Sequence, residues 1–244
     1  MALRPTDNTN SSYSWRWSAF VSSKLNMYLS WKKETINNFT ETNIEAMYDN
    51  GFVFTRVGKG IMNQTRSLRI DLEKFELSSE NRRVLTKTED LVLSAHTIPY
   101  AAYDWSIHKM GKEFYEKKFG EKTFSAQKIK ELITDKEKSN FNKLFVYSKD
   151  EKNIGYCVAL ETKNTLHYCY PFYDLESNYQ NLGMGMMLKA IVWAKENGKK
   201  HIYLGSFQRP TDTYKLQFSG LEWFDGQEWK NDLDELKDEL KSVL

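Results

Sequence analysis

Cysteine is scarce in this chain of 244 residues, which contains only Cys157 and Cys169. No Cys-x-x-Cys pair is present, so the sequence offers no zinc or iron–sulfur motif. Both cysteines fall in runs that are typical of strands, where a cysteine usually packs as a small apolar residue. We therefore expect no metal and a reducing, cytoplasmic location.

Long apolar runs are also missing, and neither sign of charge dominates. No run approaches the roughly 20 residues that a membrane-spanning helix needs, and the first residues, MALRPTDNTNSSYSWRW, contain no apolar signal-peptide core. The net charge is only +2, so nucleic acid could be attracted by a local basic patch but not by the overall field. Hydrophobic residues make up 40% and charged residues 28%, which is typical of a soluble globular protein without a membrane partner.

Regular elements are predicted mainly from about residue 89 onward. A strand is followed by two helices, three antiparallel strands, a long helix ending at Gly198, a strand, a short helix, a hairpin at Asp225-Gly226 and a last amphipathic helix. We divide the chain into an N-terminal α/β extension, 1–88, and a main domain, 89–244. Within the extension we expect disorder over 1–12 and a basic strand–helix stretch over 56–87, which holds eight Lys/Arg and four Asp/Glu.

The stretch YQNLGMGM, residues 179–186, opens the long helix. Glycine lets a backbone turn so that several amides point outward, and a helix N-terminus adds a partial positive charge. Such a loop can hold a pyrophosphate or another anion.

The element order resembles that of the GNAT acyltransferase fold, and Gln180-Asn-Leu-Gly183-Met-Gly185 fits that fold's Q/R-x-x-G-x-G/A pattern. The resemblance implies a mixed α+β fold with a central, mostly antiparallel sheet flanked by helices. It also implies that the loop binds the acyl carrier. The carrier-binding residues would be Gln180, Leu182, Gly183, Met184, Gly185 and Met186.

Further motifs resemble the arginyl-tRNA–protein transferases, the N-end-rule aminoacyltransferases. Phe172-Tyr173-Asp174, Tyr203-Leu204-Gly205 and Tyr214-Lys215 match family elements, and the likeness runs from about residue 47 to 230. Upstream matches are Arg69, Ile70, Phe75, Ser78, Arg82, Arg83 and Val84. The family's N-terminal cysteines, which bind a metal or cluster, are absent here, which excludes a cluster on ligand count.

This second resemblance implies an enzyme that moves an aminoacyl group, arginyl by the family's name, from tRNA to an amine such as a polypeptide N-terminus. The donor would be aminoacyl-tRNA, with no tightly bound cofactor. The intact glycine pattern leaves an acetyl-CoA-dependent N-acyltransferase as a second hypothesis. A degenerate fold kept as a binding module is a third, because the family's K-M before Tyr214 is missing.

Several side chains are candidates for the chemistry. By analogy with GNAT enzymes, Tyr214 would protonate the leaving group as a general acid. Glu161 would act as a general base through water, and Asp174 would bind the acceptor's amine or a charged side chain. The resemblance adds Tyr173 and Lys215 as substrate-binding residues. Arg82 and Arg83 would contact tRNA phosphates.

Overall fold

The computed structural model describes residues 29–177 and 179–241; the predicted disorder over 1–12 lies outside them. The first described part forms a small antiparallel sheet of three strands in the order β1-β3-β2. One helix, α1, packs beside it. The bounds are β1 Lys32–Thr35, α1 Glu41–Asp49, β2 Phe52–Phe54 and β3 Ile61–Gln64.

A second sheet of eight strands organises the rest, in the order β11-β10-β4-β9-β8-β7-β6-β5. Its strands are β4 Ser67–Asp71, β5 Val92–Thr97, β6 Lys143–Lys149, β7 Lys152–Glu161, β8 Thr165–Tyr173, β9 His201–Ser206, β10 Leu221–Phe224 and β11 Trp229–Lys230. Every neighbouring pair is antiparallel except β8 and β9, which are parallel. The predicted α+β, GNAT-like class is confirmed. Strand β4, from the stretch before residue 89, lies inside this sheet between β9 and β10.

Helices cover both faces of the large sheet. They are α2 Ser79–Lys87, α3 Trp105–Phe119, α4 Ala126–Thr134, α5 Leu182–Glu196 and α6 Leu233–Lys241, with a 3₁₀ helix over Pro210–Gln217. One apolar core joins α2, α5 and α6 to one face, and a second joins α3, α4 and the small sheet to the other. The strand residues alternate between the two cores, as the twofold period of a strand requires.

Helix α3 begins later than the sequence predicts. The pattern PYAAYDWSIHKM favours a helix from Pro99, but α3 begins at Trp105. The Asp104 side chain accepts a hydrogen bond from the Ser106 amide at 2.7 Å and caps the helix there.

Two irregularities in β8 shape the centre of the sheet. The parallel pairing of β8 with β9 covers only Thr165–His167, and the strands separate beyond it. In the pairing of β8 with β7, the register shifts between Tyr168 and Tyr170, so Cys169 is an extra residue, as in a β-bulge. Tyr168 therefore packs in the α5 core and Tyr170 against the α3–α4 core.

Helix α5 lies close to α2 because Gly185 has no side chain. A Cβ built on Gly185 would lie 2.7 Å from Thr88 Cγ2 and 2.9 Å from Thr88 Oγ1. Thr88 is fully buried and its hydroxyl donates to the Val84 carbonyl at 2.9 Å. The second glycine of the GMG sequence is thus explained by helix packing.

We expect Gly185→Ala to destabilise the fold by about 1–3 kcal/mol, because the added methyl overpacks the α2–α5 contact. The free energy of unfolding from urea titration measures this. The double variant Gly185→Ala/Thr88→Ala should recover part of the loss. Equal stability of the wild type and Gly185→Ala would contradict the packing explanation.

Candidate active site

A cleft of about 740 Å³ opens where β8 and β9 separate. Its walls are the second half of β8, the end of β9 and the 3₁₀ helix, with the first turn of α5 on one side and the end of α3 on the other. Ligands in α/β sheets commonly bind beyond the carboxyl ends of diverging parallel strands. Since Tyr168 and Tyr170 both line the cleft while packing on opposite faces, the cleft passes between the strands from one face of the sheet to the other.

The first turn of α5 presents free amides to this cleft. Asn181 precedes the helix with φ of 61°, and its carbonyl accepts the first intrahelical bond, from Gly185 at 2.8 Å. The amides of Leu182, Gly183 and Met184 come before that bond and have no acceptor within the helix. All three residues line the cleft, so an anion or a developing oxyanion there would meet N–H donors and the positive helix end.

Only part of the predicted carrier-binding set lies in the cleft. Leu182, Gly183 and Met184 do; Gln180, Gly185 and Met186 are not among the residues that line it. Gly185 is used in packing against α2, as described above. Met186 is fully buried and its carbonyl accepts a hydrogen bond from the Tyr147 hydroxyl at 2.9 Å. A helix turns its residues to different sides, so a contiguous motif cannot face one ligand throughout.

Tyr173 lies over the first turn of α5. A Cβ on Gly183 would come within 3.1 Å of the Tyr173 hydroxyl oxygen, so glycine is what allows the phenol to approach the helix. Tyr214, from the 3₁₀ helix, also lines the cleft and is 46% exposed. Partial burial of its hydroxyl, with the nearby Asp212 carboxylate and Tyr173, raises the pKa of Tyr214 to about 12. Tyr214 is therefore a protonated donor at neutral pH.

Lys215 lines the same cleft as a buried cation. Only 9% of the residue is exposed, and its Nζ donates to the Ser206 carbonyl at 3.0 Å. Burial lowers the pKa of Lys215, against the opposing effect of the Asp212 carboxylate. Among the described residues no carboxylate forms an ion pair with it, so its remaining N–H donors are available to a ligand.

The other predicted site residues lie away from the cleft. Partial burial would raise the pKa of Glu161, but its ion pairs with Lys143 at 2.6 Å and Lys199 at 2.8 Å lower it. The structure does not bring Glu161 to the cleft, and its carboxylate is held by these lysines. Asp174 lies on a separate groove beside α3, where it caps a turn by accepting from the Glu176 amide at 2.9 Å.

Arg82 and Arg83 lie on the exposed side of α2, outside the cleft. Arg83 pairs with Glu80 on the same helix at 2.5 Å, and Arg82 donates to the Leu77 carbonyl. In the basic stretch 56–87, three further cations also have acidic partners, which reduces the charge it can offer to phosphates. These are Arg66, Arg69 and Lys74.

The cleft itself is electropositive. Four cations line it, Arg56, Lys118, Arg209 and Lys215, against one carboxylate, Asp212. Within residues 29–177 and 179–241 none of the four forms an ion pair. Asp212 Oδ2 accepts from the amides of Gln208 at 3.0 Å and Arg209 at 3.1 Å, so its charge is partly satisfied by the backbone.

Sequence reasoning missed several cleft residues, notably Arg56, Tyr168, Tyr170 and Arg209. Tyr168 is 2% exposed, and among the described residues its hydroxyl lacks a hydrogen-bond partner of normal geometry. The nearby Tyr147 hydroxyl donates to the Met186 carbonyl. The aromatic run LHYCYPFY was the one available signal, but its composition is equally typical of a core strand.

The cysteines do not fit a metal cluster. Cys157 and Cys169 are both free, and burial raises the pKa of each thiol, which opposes the thiolate form that binds metal. The described residues contain no group of three His, Cys, Asp or Glu side chains placed to hold a metal ion. Separately, none of the helices in the described ranges has the length and apolar character to cross a membrane.

Comparison with protein families matches residues 95–225 to the model described as "Arginine-tRNA-protein transferase, C terminus". Among curated proteins, the aspartate/glutamate leucyltransferase of Saccharophagus degradans is 26% identical over 174 residues, which is 66% of this chain and 69% of that protein. The enzyme of the same name from Xanthomonas oryzae pv. oryzae is 24% identical over 168 residues, which is 66% of this chain and 67% of that protein. The one from Stenotrophomonas maltophilia is 36% identical over 86 residues, which is 33% of this chain and 34% of that protein.

Solved structures with related folds are more distant. L-PGS from Bacillus licheniformis is 12% identical with a TM-score of 0.44, covering 67% of this chain and 49% of that one. An aminoglycoside acetyltransferase from an uncultured soil metagenomic sample is 16% identical with a TM-score of 0.36, covering 52% and 84%.

Lys215 yields a stability prediction with a defined pH dependence. Its folded pKa is lowered, so at neutral pH the folded state holds a buried charge that the unfolded state solvates. Lys215→Met should therefore raise the free energy of unfolding at pH 7. As pH rises from the folded pKa toward the ordinary lysine value, the unfolded wild type retains the proton that the folded state has lost, so the wild type gains stability and the advantage of Lys215→Met shrinks.

Urea titrations from pH 7 to 10 measure this difference. Lys130→Met, a loss of charge on the exposed side of α4, is the matched control and should show no such trend. An advantage of Lys215→Met that grew with pH would contradict a charged, buried Lys215.

Proposed function

The chain belongs to the arginine-tRNA-protein transferase family, as an aminoacyltransferase enzyme, and we propose that it transfers an aminoacyl group from tRNA to the amino terminus of a polypeptide. The observation that carries the proposal is the cleft between β8 and β9, whose walls hold four cations that form no ion pair with any described residue. A tRNA 3′ end is a single strand with several phosphates, and a basic groove with aromatic side chains suits it. An opening on each face of the sheet lets donor and acceptor enter separately.

The reaction joins an amine to an ester carbonyl. The acceptor's uncharged amine attacks the carbonyl carbon of the aminoacyl ester, and a tetrahedral intermediate forms with negative charge on the carbonyl oxygen. The Lys215 ammonium and the free amides of α5 are donors positioned to stabilise that oxyanion. The C–O bond to the ribose then breaks and an amide remains.

Tyr214 supplies the proton that the ribose oxygen needs on leaving. With a pKa raised to about 12, the phenol is protonated at neutral pH. The pKa of Tyr214 is thus closer to that of an alcohol than the pKa of an ordinary tyrosine is. The resulting phenolate recovers a proton from the nitrogen that has formed the amide bond. Protons and bonds therefore balance without any further reactant.

The cleft favours an apolar aminoacyl group over arginyl. On the α5 side its lining includes Leu182, Met184, Met187 and Leu204, all of them apolar. Asp212 is the one carboxylate in the lining, and two backbone amides already occupy one of its oxygens. An arginyl guanidinium would be desolvated beside other cations, which is costly. The curated relatives are named leucyltransferases, and we propose leucyl as the transferred group.

The acceptor class follows from the same relatives, which are named for aspartate and glutamate. A carboxylate beside the acceptor's amine would be attracted to the unpaired cations of the cleft. We propose a polypeptide whose first residue is Asp or Glu. The GMG sequence no longer favours acetyl-CoA, because Gly185 packs against Thr88 and does not line the cleft.

Leucyl-tRNA should be a better donor than arginyl-tRNA by about tenfold or more, since a guanidinium would be desolvated beside four cations and only one, partly hydrogen-bonded, carboxylate. Incorporation of radioactive leucine or arginine into a peptide that begins with Asp measures the two rates. Raising the salt concentration should increase the KM for tRNA, as expected for phosphate contacts. Transfer of acetyl from acetyl-CoA, with none from either tRNA, would overturn the proposal.

Tyr214→Phe should lower kcat by about 10²-fold, within the usual range for a general acid, with a smaller change in KM. Single-turnover leucyl transfer measures the chemical step. The control is Tyr103→Phe, which removes a hydroxyl that contacts His108 outside the cleft. If Tyr214→Phe retained full kcat, Tyr214 would not be the acid.

A further inference from the structure

We propose that Arg56 is the specificity-determining residue of the acceptor site and binds the side-chain carboxylate of the acceptor's first residue. This rests on the proposed function and adds to it the residue that selects the acceptor. Arg56 comes from the turn after β2, far from the transferase motifs in the sequence.

The Arg56 guanidinium is held in a fixed position at the cleft wall. Its Nη2 donates to the Thr123 carbonyl at 2.7 Å, and its Cζ lies 4.5 Å from the centre of the Phe124 ring and 5.9 Å from that of Tyr170. Stacking of this kind orients a guanidinium and leaves its edge available for hydrogen bonds. Arg56 is half-buried, so a pairing there is screened less by solvent than one at the surface.

One of the five N–H donors of Arg56 is used by Thr123. No carboxylate pairs with it in the part of the chain that the structure describes. Lys118 and Arg209 also line the cleft but are exposed. Although the Arg209 Cζ lies 5.3 Å from the centre of the Phe119 ring, a solvent-exposed charge contributes little to pairing. Lys215 also has free donors, but it is assigned above to the oxyanion. Arg56 is therefore the remaining cation that combines a fixed orientation with N–H donors available to the acceptor.

The position of Arg56 separates it from the donor end of the cleft. Phe124 and Tyr170 belong to the core on the α3–α4 face, whereas the free amides of α5 lie on the opposite face. Along β8, Tyr170 is two residues from Tyr168, or roughly 7 Å at most. An acceptor that reaches the reaction centre from the α3–α4 face would place its first side chain beside Arg56.

The position of Arg56 favours an acceptor carboxylate over a tRNA phosphate. In the proposed reaction the donor reaches the centre from the α5 face, whereas Arg56 lies on the α3–α4 face. The aromatic rings around Arg56 restrict the approach to the planar edge of its guanidinium. A guanidinium edge and a carboxylate form two parallel hydrogen bonds in one plane.

The test measures the binding of fluorescent peptides that begin with Asp or Asn and are otherwise identical, in the absence of tRNA. The wild type should bind the Asp peptide about tenfold or more tightly, as expected for a charged hydrogen-bonded pair. In Arg56→Gln the ratio should fall to about one, and in Arg56→Lys it should be intermediate, since charge remains but the planar fork is lost. The ratio is internal to each variant, so a loss of folded protein lowers both signals and leaves the ratio intact.

Lys130→Gln removes one positive charge on α4 outside the cleft and should keep the wild-type ratio. The inference is overturned if the wild type binds both peptides equally, or if Arg56→Gln keeps the wild-type ratio. It is also overturned if Arg56→Gln raises the KM for leucyl-tRNA while the peptide ratio stays unchanged, because Arg56 would then contact a phosphate. A wild type that distinguishes the peptides but transfers no leucine would support the Arg56 seat and refute the proposed reaction.

Discussion

The separation of β8 from β9 after three residues of parallel pairing is the constraint on which the site depends. Where the ladder ends, the two strands lose each other's backbone partners, and β8 continues on β7 while β9 continues on β4. The sheet stays intact on both sides and opens only in the middle. A rigid frame can therefore hold an aqueous gap at its centre, and the first turn of α5 is fixed at the edge of that gap.

The positive charge of the cleft is the second feature on which substrate binding would depend. Most cations elsewhere in the described chain have acidic partners, and those of the cleft do not. Among the described residues, buried Lys215 donates one hydrogen bond, to the Ser206 carbonyl, and the buried Tyr168 hydroxyl has no partner. Leaving such groups unsatisfied costs stability, and a substrate that accepts their hydrogen bonds would recover that cost. The cleft thus contains polar groups that lack partners among the described residues and lie where a substrate could supply those partners.

The family, the enzyme class, the element order and the place of the loop at α5 were all predicted from the sequence and are confirmed. Local patterns carry that information, since the periodicity of α5 and the turn at Asp225-Gly226 depend on neighbouring residues. Arg56 could not be predicted, because its contact with Phe124 and Tyr170 depends on how two sheets pack. Glu161 was a plausible base in sequence, but its lysine partners come from β6 and from the segment before β9. The β-bulge at Cys169 could not be predicted either, because the residue types of this strand do not indicate where its register shifts.

That one extra residue in β8 has an evolutionary consequence. Without it, side chains two positions apart would point to the same face, and one surface would have to select both substrates. With it, Tyr168 and Tyr170 belong to different cores, so substitutions on the face where we propose that the donor binds need not disturb the face where we propose that the acceptor binds. Under that proposal, a change of one substrate would not require a change in the site of the other.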